Sequence, residues 1–186
     1  MNIFYLHEDP EVSAKMHCDK HVVKMIIEYA QMLSTAHRML DGKLTKKPSK
    51  SGKTMIKHYD LYEGTDDLEA EMIYYKAVHY NHPCNVWVRE SNENYLYLYR
   101  MFCALCDEYH HRYGKYHMTD VKLKSALYTF PLNIPYKPFS EPPQAMPDYC
   151  KKSNAIDGYR TYYIKEKKSF AKWTKRDIPN WFKDVA

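Results

Sequence analysis

The sequence predicts a mostly α, single-domain helical bundle around a long central N-terminal helix, with a proline-rich strap and a basic, aromatic C-terminal helix. Three observations carry this. Residues 10–41 hold apolar side chains at helical period, covering more of the circumference than a surface helix buries. The chain has 19 tyrosines but 5 glycines, so it is rich in amphipathic packing surface and poor in the residue that the tight turns of a many-stranded sheet need. Six prolines fall within residues 131–147, which reads as an extended strap laid over helices. A chain of 186 residues is the size of one domain. The roughly forty residues after the strap are too few to bury a second core.

The N-terminal residues 2–6, Asn-Ile-Phe-Tyr-Leu, are apolar and extended or a short strand. The first helix then has its start written out: Asp9 as cap, Pro10 at the first helical position, and Glu11 at the positive end. Asp41 and Gly42 supply its stop, giving about thirty residues in one helix. Residues 43–57 contain six lysines among Ser, Thr, Pro and Gly without hydrophobic period, and read as a mobile basic loop. Gly52-Lys53-Thr54 resembles the tail of a phosphate loop. The required first glycine is replaced by Lys47 and no strand precedes it, so nucleoside triphosphate binding is excluded.

A second helix is expected from Asp66, with Glu69 at capping-box spacing, to about Tyr80, before the break at His82-Pro83. A third begins near Ser91 and ends at Gly114, with Tyr95, Leu98, Phe102, Leu105 and Cys106 on its core face. After the strap, residues 148–186 form a C-terminal helix and tail. There Tyr162, Phe170, Trp173 and Trp181 interleave with Lys165, Lys167, Lys168, Lys172 and Arg176.

A net charge of +5 is modest, but the lysines cluster, and clustering favours a polyanionic partner, nucleic acid and most simply DNA. Five cysteines in no framework spacing read as reduced thiols, and hence as a cytosolic protein, in the host cytoplasm if the chain is viral. No apolar run reaches the roughly 18 residues of a membrane span, and MNIFYLHEDP lacks the pattern of a secretory signal. No cofactor is indicated, and the oligomeric state is not legible.

The chemistry concentrates on one helical row. His17, His21, Lys24, Glu28, Gln31 and Thr35 follow the +4, +3 spacing of a single face, flanked by apolar residues, so the row either lines a cleft or is a solvated stripe that contains histidine. Arg89, close to Trp87 and the His82-Pro83 turn, suits a phosphate clamp or a buried ion pair. Lys46, Lys47, Lys50 and Lys53 of the basic loop, with Tyr162, Lys168 and Trp173 of the tail, combine charge with stacking surface as nucleic-acid binding requires. These aromatics equally suit docking of the last helix on the core. His17 and His21 at i, i+4 with Glu28 leave open a metal-dependent nuclease or hydrolase, with His79 or His82 completing the site. A non-catalytic nucleic-acid or nucleotide binder also stays open.

The segment from Leu98 to Gly114, carrying Glu108 and Arg112, with His82-Pro83 upstream and a first helix that sets His17 or His21 ahead of Glu28, resembles the phage pyrimidine-dimer DNA glycosylases of the endonuclease V type. The resemblance implies a compact helical glycosylase and lyase that binds duplex DNA, flips a base and attacks the sugar C1′ with an N-terminal amine. It makes Glu28 the assisting carboxylate, with His21 beside it, and draws Arg112 and the basic tail towards the DNA. In that family's best-known member the amine is exposed by removal of the initiator methionine, which would here be that of Asn2. Asn2 is not a small residue that favours removal, so Lys24, if desolvated beside Glu28, is a second amine. An ordinary α-amine, with a pKa of about 7.7 to 8, is partly unprotonated near neutrality.

Overall fold

The computed structural model describes residues 1–183; the last three residues of the expected tail lie outside the described residues. The fold is mostly helical, as expected. In chain order it runs α1 (Pro10–Met16), α2 (Asp19–Asp41), a hairpin of β1 (Lys43–Pro48) and β2 (Met55–Asp60), α3 (Leu61–Thr65) and α4 (Leu68–Ile73). There follow α5 (Pro83–Arg89), α6 (Asn92–Tyr113), α7 (Met118–Leu123), α8 (Ala155–Glu166) and α9 (Asn180–Lys183). The two long helices α2 and α6 pack on each other and α1 packs on α6. Met25, Ile26, Tyr29, Met32 and Leu33 share one core with Tyr95, Leu98, Met101, Phe102 and Leu105. Val23 and Ile27 stay 39% exposed, so α2 is not greasy on every side. Among the described residues no helix is long and apolar enough to cross a membrane, and the five cysteines are unpaired.

The N-terminal signals of the first helix hold: Asp9 Oδ1 accepts from the Glu11 and Val12 amides at 2.7 and 3.2 Å. The single thirty-residue helix does not. It breaks at His17 and Cys18, both extended. The cause is distant in sequence. Arg112 donates to the carbonyls of Lys15 (3.1 Å) and His17 (3.0 Å), and the Trp173 indole donates to that of Met16 (2.9 Å). The Asp19 amide, which would have closed a helical bond to Lys15, goes to Lys172 O at 2.8 Å. With its carbonyls and amide taken from outside, the backbone loses nothing by leaving the helix.

Arg38 acts in the same way further on. Of the expected helix over 66–80 only α4 forms, followed by irregular chain, because Arg38 donates to the carbonyls of Glu71, Tyr74 and Tyr75 at 2.9, 3.0 and 2.7 Å; a separate short helix, α3, precedes it. Asp66 (φ 56°) closes α3, and Asp67 rather than Asp66 caps α4 through the Ala70 amide at 2.8 Å. The supposed mobile loop 43–57 is also corrected: it is an antiparallel hairpin pairing Lys43 with Asp60 through Pro48 with Met55. Its turn is closed by Ser49 N to Thr54 O at 2.7 Å and by Gly52 at φ 71°. Both strands are largely exposed, so neither carries the alternation by which a half-buried strand is recognised.

The strap is as expected. Residues 131–147 are extended and bonded across the start of α6, with Lys137 N on Asn92 Oδ1 and Ser140 N on Asn94 Oδ1, both 3.0 Å, and Ser91 Oγ donating to Lys137 O at 2.6 Å. The C-terminal part differs. Among the described residues α-helix is confined to 155–166 and 180–183, with a 3-10 turn at 148–150, and the lysine-rich stretch between the two helices is irregular chain pinned to α1 and α2.

Three imidazoles are enclosed by this packing. Burial pulls His17 from 6.5 to about 4, His21 to about 2 and His37 to about 4. Below about pH 6.5 the unfolded chain takes up protons at these sites while the folded chain does not, so stability rises with pH and is lost on acidification. Thermal melts should fall progressively from pH 7 to about pH 4.5, with two to three protons taken up on unfolding near pH 5. A melting temperature flat across that window would contradict neutral, enclosed imidazoles.

Candidate active site

The N-terminal segment lies under the helices, with Ile3, Phe4, Tyr5 and Leu6 all buried. It makes its hydrogen bonds to side chains rather than to a sheet. Phe4 N donates to Tyr29 Oη at 3.1 Å, Leu6 N to Ser13 Oγ at 3.1 Å, and Arg160 donates to Leu6 O at 2.9 Å. Tyr29 directly follows Glu28 on α2. The clamp on Phe4 therefore delivers the start of the chain to Glu28, and the Met1 α-amine stands 3.8 Å from Glu28 Oε2.

Glu28 is 15% exposed and sits between two amines. On the inner side is the α-amine of Met1, whose side chain is 6% exposed; on the outer side Lys24 Nζ approaches Oε1 at 3.0 Å with its side chain 68% exposed. Lys24 is thus solvated, and the expectation of a desolvated lysine beside Glu28 is corrected. Its pair with Glu28 is worth at most about 1 kcal/mol.

The wall facing α2 comes from residues 78–85. Asn85, 1% exposed, donates through Nδ2 to Val78 O (2.9 Å) and His79 O (3.0 Å) and lies 3.6 Å from Met1 Sδ. Thr35 Oγ1 accepts from Val78 N at 3.2 Å. His82 caps α5, its Nδ1 accepting from Cys84 N at 3.2 Å. Burial lowers the His82 pKa, the positive α-amine and His79 lower it further, and Glu28 opposes them, so all four groups share one electrostatic neighbourhood. Gln31, half-buried, lies one turn along the same helix face.

Several expected site residues are elsewhere. His17 is fully buried with Nδ1 on Ser13 O at 2.7 Å, and His21 bonds Tyr163 Oη at 2.5 Å while stacking on Phe4. Their rings lie 6.5 Å apart in an aromatic interior. His17, His21 and Glu28 do not converge, and among the described residues no group of three His, Cys, Asp or Glu is placed to hold a metal. Trp87 is core, its indole on Ser140 O at 3.0 Å, and Trp173 is core through Met16 O. Arg89 bonds the carbonyls of Tyr80 (2.8 Å) and Asn85 (3.0 Å) through Nη1 and, among the described residues, makes no ion pair. Arg112, with no exposed side chain, is occupied by Glu108, Asp19 and two carbonyls. Tyr162 stacks on Phe4 and carries Lys167 on its hydroxyl at 3.1 Å. Lys46, Lys50, Lys53 and Lys168 are exposed, and Lys47 is paired with Asp60 at 2.8 Å.

The family model described as pyrimidine dimer DNA glycosylase matches residues 1–121. The chain belongs to the pyrimidine dimer DNA glycosylase family. The match spans α1 to α6, and so contains Met1, Glu28, Asn85 and His82 together, while the strap and the C-terminal segment lie beyond it. No curated protein and no solved structure matches the chain. Membership makes DNA the substrate of this glycosylase fold and a pyrimidine dimer its lesion. Of the residues singled out from the sequence, Glu28, Lys24 and His82 are brought together here. Reasoning from sequence missed Asn85, whose only local signal is an amide placed among the apolar residues of a short helix, Cys84, Trp87 and Val88.

Proposed function

We propose that the protein is a DNA glycosylase with lyase activity that attacks C1′ of a dimerised pyrimidine nucleotide with the α-amine at its N-terminus, assisted by Glu28. The observation that carries this reading is the 3.8 Å approach of that amine to a carboxylate withdrawn from solvent, within the family-matched part of the chain. To attack, the ammonium gives up a proton, and Glu28 is the group positioned to receive it. The amine nitrogen then bonds to C1′ as the C1′–N1 bond breaks, the pyrimidine leaving with the bonding pair. The new ammonium passes a proton to the departed base, C1′–O4′ opens as Glu28 returns its proton to O4′, and the cationic iminium that forms is stabilised by the regenerated Glu28 carboxylate. The side of the site formed by the exposed His79 and the half-buried His82 is where the nucleotide's polar groups would be met. The exposed lysines of the hairpin and tail supply phosphate contacts.

The test is reductive trapping. Borohydride added during reaction with dimer-containing or abasic DNA should leave a covalent adduct, and mass analysis of the trapped peptide reads which residue carries it. An adduct on Met1 or, after methionine removal, on Asn2 supports the reading; an adduct on Lys24 moves the nucleophile to the outer amine. No adduct on either DNA, with DNA still bound tightly, would leave a binding protein.

A further inference from the structure

The hairpin does more than display lysines. Between it and residues 76–78 lies a cavity of about 640 Å3, lined on the hairpin side by Lys47, Lys50, Lys57, His58 and Asp60 and on the body side by Arg38, Glu71 and Lys76. Its two acids are both neutralised: Asp60 by Lys47 at 2.8 Å and Glu71 by Arg38 at 2.6 Å. Lys50, Lys57 and Lys76 have no hydrogen bond or ion pair among the described residues. The groove therefore carries about three uncompensated positive charges.

Two further observations point the same way. Burial lowers the pKa of His58, and Lys76, Lys47 and Arg38 lower it further, against Glu71 alone, which reports a net positive field inside the groove. On the strands, Lys46 and Lys57 stand directly opposite each other. Like charges facing across a ladder are destabilising, and an anion between or beside them removes that cost. The groove also adjoins the site. Val78 lines it while giving its carbonyl to Asn85, the residue that touches Met1.

We propose that this groove is a second DNA-binding site, holding phosphodiesters of the strand that flanks the lesion, through Lys50, Lys57 and Lys76. The proposal rests on the glycosylase reading for its partner, but its residues are separate from the amine and Glu28. A strand fits better than a free anion because the cations are spread along the cavity, from the hairpin turn to the body, rather than gathered on one point.

The test uses the full chain and an undamaged duplex, so that it does not depend on catalysis. Lys50→Ala, Lys57→Ala and Lys76→Ala combined should reduce the slope of log K against log salt by roughly 2 to 3, about 0.9 per lost phosphate contact, with a correspondingly weaker affinity at physiological salt. The melting temperature should hold or rise slightly, since no ion pair is lost and Lys57→Ala removes the repulsion from Lys46. Borohydride trapping at saturating DNA should be retained, and loss of trapping in the unaltered protein would count against the amine reading alone. A control at the hairpin turn, Lys53→Ala, should change the slope less. An unchanged slope in the triple variant, or a control that carries the whole loss, would overturn the groove. Displacement of DNA by inorganic phosphate beyond that by chloride at equal ionic strength would mark a small-anion site and overturn the strand.

Discussion

Glu28→Gln is expected to leave the fold and DNA affinity intact while lowering both trapping and strand cleavage by about 10² to 10⁴ under single-turnover conditions. Glutamine keeps the size of the side chain and a hydrogen-bonding oxygen, so the outer contact with Lys24 at 3.0 Å and the packing of α2 survive. What it removes is a proton acceptor and a negative charge 3.8 Å from the α-amine. Both matter only once the ammonium must lose its proton and the sugar turns cationic, so the loss should fall on the chemical step rather than on binding. A Glu28→Gln protein that traps as fast as the unaltered one would remove Glu28 from the mechanism, whatever the fate of the amine.

The second large effect is on stability. Arg112→Ala should cost about 3 to 5 kcal/mol, since truncating one partner of a buried ion pair leaves the other uncompensated. That corresponds to a fall in melting temperature of roughly 10 °C for a domain of this size. Arg112 holds Glu108 Oε2 (3.1 Å), Asp19 Oδ1 (2.9 Å) and the carbonyls of Lys15 and His17, so its loss exposes the break between α1 and α2 as well as the 4%-exposed Glu108 side chain. Arg176, at 2.6 Å from Glu108 Oε1, retains part of the compensation. Lysine at 112 should rescue little, because one ammonium does not reproduce the planar fork that serves four acceptors.

The same network has a pH signature. Burial would raise the Glu108 pKa, but Arg176 and Arg112 outweigh it and hold the carboxyl below its usual range. A depressed carboxylate stabilises fully above about pH 4.3 and loses that contribution as pH falls through its folded value. An Arg112→Ala protein that melts normally but no longer binds DNA would instead return Arg112 to the interface that its sequence context suggests.

Local signals in the sequence were reliable where the responsible atoms are neighbours in the chain. Asp9-Pro10-Glu11 starts α1, Ser91 caps α6 through Glu93 N at 3.1 Å, and Gly114 closes α6 at φ 69°. Each acts within a turn of its own position, so composition and spacing suffice. The hairpin was missed for an equally local reason: with both faces largely wet, its strands have no hydrophobic alternation to read. Trp87, Trp173 and Arg112, expected from the sequence at the DNA, are buried and bonded inside, and the sequence gives no sign of this because an aromatic or a guanidinium reads alike on a surface and inside. Only their partners, Ser140, Met16 and Glu108 with Asp19, decide the matter.

Periodicity alone was enough to single out Glu28 as a carboxylate in a polar row on an otherwise apolar helix, and the residues alone suggested the family to which the chain belongs. Tertiary structure brought a second amine to it. Lys24 is closest in sequence but reaches into water, whereas the α-amine arrives because Tyr29 holds Phe4 across 25 residues and Asn85 stands against Met1 across 84. It also divided the row, drawing His17 and His21 into the aromatic interior and leaving Glu28 at the cleft. Helical spacing states which residues share a face. Which part of that face is covered depends on contacts between distant segments, since burial is a property of the packed chain and not of any window along it.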